Sequence, residues 1–164
     1  FYGGSHEKKR RPGTENVAGA VGFAKALEIA GKRMNSDHSQ LTELSNYFID
    51  KILGSIPDIS LNGSRTNRTP QTVNLSFVEI EGESILLSLD LEGIACSSGS
   101  ACTSGATEPS HVLTAMGIPK IKAQGAIRFS MGRSTTKEQL NYVLEKLPPI
   151  IERLRAMSPV YERS

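Results

Sequence analysis

The sequence predicts an α+β domain in which a small antiparallel or mixed sheet is covered by helices on one face. Segments with helical spacing of apolar residues are interspersed with short segments in which every second residue is apolar. Their order is helix, helix, strand, strand, helix, loop, helix, strand, helix, which lacks the regular alternation of a doubly wound nucleotide-binding fold. The length of 164 residues suits one ordinary domain, or one domain with part of another.

The composition excludes several classes of protein. Hydrophobic residues make up 38% of the chain, which is enough for a core, whereas aromatic residues make up 5% and Trp is absent. An aromatic platform for nucleic acid is therefore not expected. The net charge is +2, and no stretch reaches the roughly 18 apolar residues of a membrane span. Without a signal peptide or metal-ligand spacing of cysteines, we expect a cytoplasmic protein with no metal site and no direct contact with nucleic acid or membrane.

The first part of the chain is predicted to be helical after a polar start. Residues 1–16 are polar and rich in Gly, which is typical of a loop. From Asn16, a candidate N-cap, apolar residues recur at helical spacing as far as Met34. A second amphipathic helix is predicted after Asp37, with Pro57 ending it.

The sheet is predicted from three segments with alternating apolar residues. They are Ile59–Leu61, Thr72–Phe77 and residues 127–131. In the last segment the odd-numbered apolar residues lie on one face, which places Arg128 and Ser130 on the other face.

Three further helices complete the predicted domain. Gly82–Leu91 is rich in Leu, and Pro109 is predicted to open a short helix. The last helix is predicted from a capping box between Thr135 and Glu138 and from an apolar stripe that follows it. The two prolines at 148 and 149 are expected to kink this helix.

One segment, residues 97–110, consists almost entirely of small and polar residues and predicts a mobile loop. Cys102 lies within it, away from bulky neighbours, whereas Cys96 follows an apolar segment and is expected in the core or in a strand. Access and thiolate character make a thiol reactive, and a flexible tether lets a nucleophile move between two sites. On local sequence alone, the alternative is an incidental loop thiol.

Other polar residues are candidates for binding. Arg128 could hold a carboxylate through a bidentate pair of hydrogen bonds, although strand arginines commonly cover a sheet surface. Arg133 is open to the same two interpretations, with weaker support. The run Gly13-Thr14-Glu15-Asn16 at a helix start, next to the basic residues 8–11, would suit a phosphate, and the alternative is a simple helix cap. The histidines have no evident carboxylate or cysteine partner in sequence and are expected to be solvated: His6, His38 and His111.

Four sequence blocks occur in order along the chain. They are GGSHEKKRRPGTEN at residues 3–16, SSGSACTSG at 97–105, EPSHVL at 108–113 and IRFSMGR at 127–133. Together they resemble the cysteine desulfurases of the NifS/IscS type, which are class V aminotransferases among the fold-type I PLP enzymes. The similarity runs over essentially the whole chain. One departure is His6, where the family commonly has Gln.

The resemblance implies a role for three residues. Cys102 would accept sulfur from L-cysteine as a persulfide while L-alanine is released. Arg128 would hold the substrate α-carboxylate, and Thr14 would reach the phosphate of pyridoxal 5'-phosphate (PLP) in the neighbouring subunit of a homodimer. The implied sulfur acceptor is an iron–sulfur scaffold protein or a tRNA-thiolating enzyme.

The resemblance also implies how the chain is divided. Residues 1–16 would be the tail of a large PLP-binding domain and residues 17–35 a linking helix. Residues 36–164 would form the small C-terminal domain, with the catalytic-cysteine loop at 97–110. The PLP lysine of the family lies in a Ser-x-His-Lys context that no lysine here has, so we expect it to precede Phe1 and expect this chain alone to be inactive.

Three alternatives remain at this point. The chain could be a non-catalytic interaction module, in which Cys102 would react with alkylating agents like any free thiol. It could be a stand-alone sulfur carrier of rhodanese type, which would transfer a persulfide without PLP. It could also belong to a PLP enzyme similar to selenocysteine lyase, which differs in substrate.

Overall fold

The computed structural model describes residues 2–98 and 109–158, and the chain divides into two compact units, Phe1–Asp37 and His38–Ser164. Helix α1 (His6–Lys9) is a single turn whose Lys8 and Lys9 have left-handed backbone angles. Helix α2 (Val17–Ser55) follows. The predicted loop over residues 1–16 is thus interrupted by one short turn.

The start of α2 confirms the predicted N-cap. The Asn16 side-chain oxygen accepts a hydrogen bond of 2.9 Å from the Gly19 backbone N–H, which would otherwise lack a partner in the first turn. A side chain at position 19 would collide with this cap, because an added Cβ would lie 2.6 Å from the Asn16 amide nitrogen. A glycine here therefore leaves room for the cap.

The prediction of two separate helices between Asn16 and Pro57 is wrong, since α2 continues without a break for 39 residues. The polar segment that suggested an interruption contains neither Gly nor Pro. Local side-chain contacts follow the helix there: Arg33 and Asp37 form an i,i+4 ion pair of 3.6 Å, and the Ser36 hydroxyl donates to the Arg33 carbonyl. Polarity alone did not end the helix.

The second unit contains a four-stranded antiparallel sheet with the order β1-β2-β4-β3, which confirms the predicted α+β class. Its strands are β1 (Ile59–Leu61), β2 (Thr72–Phe77), β3 (Ser97–Ser98) and β4 (Ala126–Ser130). Strands β1 and β2 have the predicted bounds. Strand β3 has only two residues, both serine, so it shows no alternation that could predict it.

One face of the sheet carries the core. Helices α2, α3 (Gly82–Leu91) and α6 (Lys137–Met157) contribute side chains to a single buried cluster with the apolar residues of the strands. The rings of Phe48 and Phe129 meet edge to face with centroids 5.2 Å apart, which joins α2 to β4. Among the members of the cluster are Ile52, Leu75, Ile85, Leu89, Ile127, Leu147 and Ile151.

Two short helices, α4 (His111–Ala115) and α5 (Lys120–Gln124), form a smaller cluster with the start of β4 through Leu113, Ala123 and Ala126. Helix α4 begins two residues after the predicted Pro109, and α5 was not predicted. Gly125 follows α5 and approaches β2 closely: its carbonyl accepts from the Phe77 N–H at 3.0 Å, and an added Cβ would overlap the Phe77 carbonyl oxygen. The missing side chain allows this approach.

The capping box of α6 lies one residue later than predicted. The Thr136 hydroxyl accepts from the Gln139 N–H at 3.3 Å, and the Gln139 side chain accepts from the Thr136 N–H at 3.0 Å. The Thr135 hydroxyl instead accepts from the Gly132 N–H. Helix α6 includes both prolines at 148 and 149. Within residues 2–98 and 109–158, no helix is long and apolar enough to cross a membrane.

Candidate substrate pocket on the polar face of the sheet

The second face of the sheet is polar, and Arg128 lies at its centre. Arg128 in β4 is directly opposite Asn74 in β2 on one side and Ser97 in β3 on the other. Directly opposite residues of antiparallel strands share a face. The neighbours of Arg128 in β4, Ile127 and Phe129, are buried on the core side, whereas Arg128 is exposed. The predicted orientation of Arg128 is therefore confirmed.

A pocket of about 440 Å³ lies over this polar face. Asn74 and Arg128 contribute to its lining from the strands, and part of the connection between β1 and β2, including Asn62, lines it as well. Helix α4 and its C-cap residue add the apolar side chains of Val112 and Met116. Two arginines, Arg68 and Arg128, lie among the polar groups of the lining. Cations among polar groups, next to an apolar surface, are a combination that can bind a small organic anion.

The connection between β1 and β2 is held by Arg68. Its guanidinium donates to the Thr72 carbonyl at 2.9 Å and to the Ser45 hydroxyl at 2.8 Å. Burial is the main cause that lowers the pKa of Arg68, and the charge of Arg65 adds to it. Sequence reasoning did not identify Arg68, which lines the pocket but directs two of its hydrogen bonds into the protein.

Both ends of the predicted catalytic loop reach this pocket. The first two residues of the predicted segment 97–110 form β3, and Ser98 and Ser110 both line the pocket. Cys102 lies outside the described residues. It is the fourth residue after Ser98 in the sequence.

Cys96 confirms the expectation of a core or strand position. It lies just before β3, is partly buried and packs against the main core cluster. Burial, with a smaller contribution from the charge of Asp90, raises the pKa of the Cys96 thiol to about 11. At neutral pH this thiol is protonated and a weak nucleophile.

Thr14 belongs to the other unit, Phe1–Asp37, and is exposed. It follows Gly13, whose φ of 93° lies in the left-handed region that glycine tolerates. The Arg11 guanidinium donates to the Gly13 carbonyl and to Glu15, where the distance is 3.2 Å. Part of the basic run thus stabilises the turn that carries Thr14, and the phosphate contact of Thr14 stays a prediction.

The remaining predicted candidates are on the surface. Arg133 is exposed, and its backbone carbonyl accepts from the Gln40 side chain at 3.5 Å. The expectation that the histidines are solvated agrees with their exposure at His6, His38 and His111. In the described part of the chain, no group of three or more His, Cys, Asp or Glu side chains could hold a metal ion.

The chemistry of the pocket residues bears on whether PLP could bind there. PLP enzymes require a lysine for the covalent link and a charged partner for the pyridine nitrogen. Among the described residues, those that line the pocket include neither a lysine nor an acidic residue. With two arginines but no lysine, the described residues of the pocket could bind a carboxylate and do not form a PLP site by themselves.

Comparison with known proteins identifies the class to which this fold and pocket belong. The sequence matches the Aminotransferase class-V family over residues 4–143, and the chain belongs to that family. Within the family it is 54% identical to a cysteine desulfurase IscS of Dictyoglomus turgidum, over 97% of this chain and 40% of that protein. It is 51% identical to a cysteine desulfurase of a Nostoc species, with the same two coverages, 97% and 40%.

Solved structures agree with the sequence relatives. A NifS-like protein superposes with a TM-score of 0.78 at 30% identity, covering 94% of this chain and 39% of the other. The NifS-like protein of Rickettsia africae gives a TM-score of 0.77 at 27% identity, covering 93% and 39%. The chain thus spans about 40% of the length of the two curated desulfurases that it matches.

Proposed function

We propose that this chain forms the substrate-carboxylate and sulfur-transfer part of a PLP-dependent cysteine desulfurase. The full-length enzyme would convert L-cysteine to L-alanine and leave a persulfide on Cys102. The observation that carries the proposal is the pocket around Arg128, because residues on both sides of the Cys102 segment, Ser98 and Ser110, line it. The names of the sequence relatives, cysteine desulfurases at 54% and 51% identity, support the same reaction.

Arg128 would bind the α-carboxylate of L-cysteine. Its planar guanidinium can donate two parallel hydrogen bonds to a carboxylate, which fixes the orientation of the substrate as well as its position. The Arg128 side chain is exposed and lines the pocket, where its donors can face a ligand. With its carboxylate held there, the substrate would present its thiol to a nearby nucleophile.

Cys102 would act as the nucleophile. Its thiolate attacks the substrate sulfur, an S–S bond forms, and the C–S bond of the substrate breaks. The electron pair of that bond goes to the substrate carbon, which takes up a proton and leaves as part of L-alanine. When bound, PLP supplies the electron sink that makes this cleavage accessible.

Three finer parts of the proposal concern assembly. Thr14 would contact the PLP phosphate of the neighbouring subunit in a homodimer, which is compatible with its exposure on a turn stabilised by Arg11. The persulfide would pass to an acceptor protein, either an iron–sulfur scaffold or a tRNA-thiolating enzyme. The enzyme would act in the cytoplasm.

The proposal is tested by mass spectrometry of the full-length protein after incubation with L-cysteine. We expect one added sulfur atom on the peptide that contains Cys102. A Cys102→Ser variant should bind PLP but form neither persulfide nor alanine. The matched control is Cys96→Ser, which removes the partly buried thiol and should leave persulfide formation intact. Normal turnover in Cys102→Ser would contradict the assignment, and a persulfide on the 164-residue chain alone would favour a sulfur carrier without PLP.

A further inference from the structure

We infer that the carboxamide of Asn74 is a second hydrogen-bond donor to the substrate α-carboxylate, beside Arg128, and that Asn62 holds it in position. The inference rests on the proposed function and adds a substrate-binding residue to it. Its basis is the arrangement of side chains on the polar face of the sheet.

Asn74 and Arg128 lie side by side. They are direct partners in the antiparallel register of β2 and β4, and both line the pocket of about 440 Å³. The Cβ atoms of such partners are about 4.5–5.5 Å apart. One small ligand between the two side chains can therefore contact both.

The Asn74 amide has a defined orientation. Its side-chain oxygen accepts a hydrogen bond of 2.6 Å from the Asn62 side chain. Asn62 is itself tied to the same strand, because its backbone N–H donates to the Asn74 carbonyl at 2.9 Å. Since the oxygen of the planar amide points to Asn62, its NH2 group points away from Asn62 and keeps two donors for a ligand.

Two other polar neighbours, Asn62 and Ser97, already donate their side-chain hydrogen bonds to groups of the protein. The Asn62 NH2 group donates both to Asn74 and to the Ser76 hydroxyl, the latter at 2.7 Å. On the opposite side of Arg128, the Ser97 hydroxyl donates to the Ser98 carbonyl at 3.1 Å. A carboxylate has more acceptor positions than the fork of one arginine fills. Of these three neighbours, Asn74 is therefore the one placed to fill a further position.

The contact between Asn74 and the substrate carboxylate is tested most directly by replacing Asn74 in the full-length enzyme. Asn74→Asp keeps the shape of the side chain but exchanges the donor for a negatively charged acceptor. We expect KM for L-cysteine to rise about 10- to 100-fold, the usual effect of losing a hydrogen bond to a charged group, while kcat changes little. Cysteamine, which is L-cysteine without its carboxylate, serves as a competitive inhibitor, and its Ki should stay close to that of the wild type.

Two further variants make the test specific. Asn141→Asp introduces the same charge on α6 and keeps an acceptor oxygen for the Tyr47 hydroxyl, so KM should not change. Asn62→Ala removes the group that positions Asn74. It should raise KM for L-cysteine in the same direction, again without an effect on cysteamine, and it provides the test if Asn74→Asp does not fold.

Three outcomes are distinguishable. A rise in KM for L-cysteine with unchanged cysteamine inhibition supports the contact. An unchanged KM, or an equal loss of affinity for both compounds, overturns it while leaving the desulfurase proposal in place. A wild-type enzyme that makes no L-alanine from L-cysteine overturns the proposed function and this inference with it.

Discussion

The two faces of the four-stranded sheet are built from alternate residues of the same strands, yet they differ in burial and polarity. Phe129 on one face is 6% exposed and packs against Phe48. Arg128, one residue earlier, is exposed and lines a pocket together with Asn74. The first face holds the helices in place, and the second carries groups that can bind a ligand.

The difference shows that the stability of the sheet does not depend on burying its polar face. Burial of apolar area on one side supplies the stabilisation, at roughly 25 cal/mol per Å² removed from water. The polar side can then retain Arg128 with donors directed to solvent, since its desolvation is not required for folding. Substitutions on the two faces should therefore affect different measurements.

The largest effect is expected on the core face. Phe129→Ala removes a buried ring that joins β4 to α2 and should lower the free energy of unfolding by about 3–5 kcal/mol, measured by urea denaturation of the 164-residue chain. Ser130→Ala is the matched control, because Ser130 is exposed on the other face, and it should change stability by less than about 0.5 kcal/mol. Equal destabilisation by both variants would contradict the division between the faces.

The second effect concerns the polar face. Arg128→Ala in the full-length enzyme should lower kcat/KM for L-cysteine by about 10- to 100-fold, chiefly through KM, because a charge-assisted hydrogen bond to the carboxylate is lost. The melting temperature should stay close to that of the wild type, since Arg128 is exposed. Arg133→Ala, which removes another exposed arginine nearby in sequence, should leave the kinetics unchanged. Unchanged saturation kinetics in Arg128→Ala would exclude the carboxylate contact.

The smallest effect concerns Cys96, which packs against the core. Burial raises the pKa of its thiol to about 11, so alkylation of Cys96 in a Cys102→Ser variant should remain slow at neutral pH and reach half its maximal rate near that pH. Between pH 9 and about 11 the thiol of Cys96 is protonated in the folded state but ionised in the unfolded state. The free energy of unfolding should therefore decrease as the pH rises through this range. Cys96→Ala should lack this decrease, and an alkylation midpoint near the ordinary value would show that the thiol is not buried.

Much of the fold was predictable because local signals agree with the tertiary structure. The strands β1 and β2 and helix α3 have the predicted bounds, since their apolar periodicities match the face that each buries. The predicted break in α2 was wrong because a polar segment without Gly or Pro can continue a helix. Thr135 and Thr136 are adjacent, so the sequence left the N-cap of α6 ambiguous by one residue. In the structure, Thr136 has the extended backbone of an N-cap residue and forms the capping box.

The site was predictable in part. The alternation of β4 predicted that Arg128 lies on the polar face, and the family resemblance supplied the hypothesis that it binds the substrate carboxylate. The sequence indicated only that Asn74 is a polar residue at an alternate position of β2. That Asn74 lies opposite Arg128 depends on how β2 and β4 pair, which the periodicity of each strand does not fix. Asn62 and Arg68 lie outside the strands, in segments where sequence patterns specify no side-chain contacts.

The most direct test is a crystal structure of the full-length Cys102→Ser protein with L-cysteine bound. Our account predicts that the substrate carboxylate lies within about 3.2 Å of the Arg128 guanidinium, in the pocket on the polar face of the sheet. A carboxylate bound by other residues, with Arg128 directed to solvent, would contradict it.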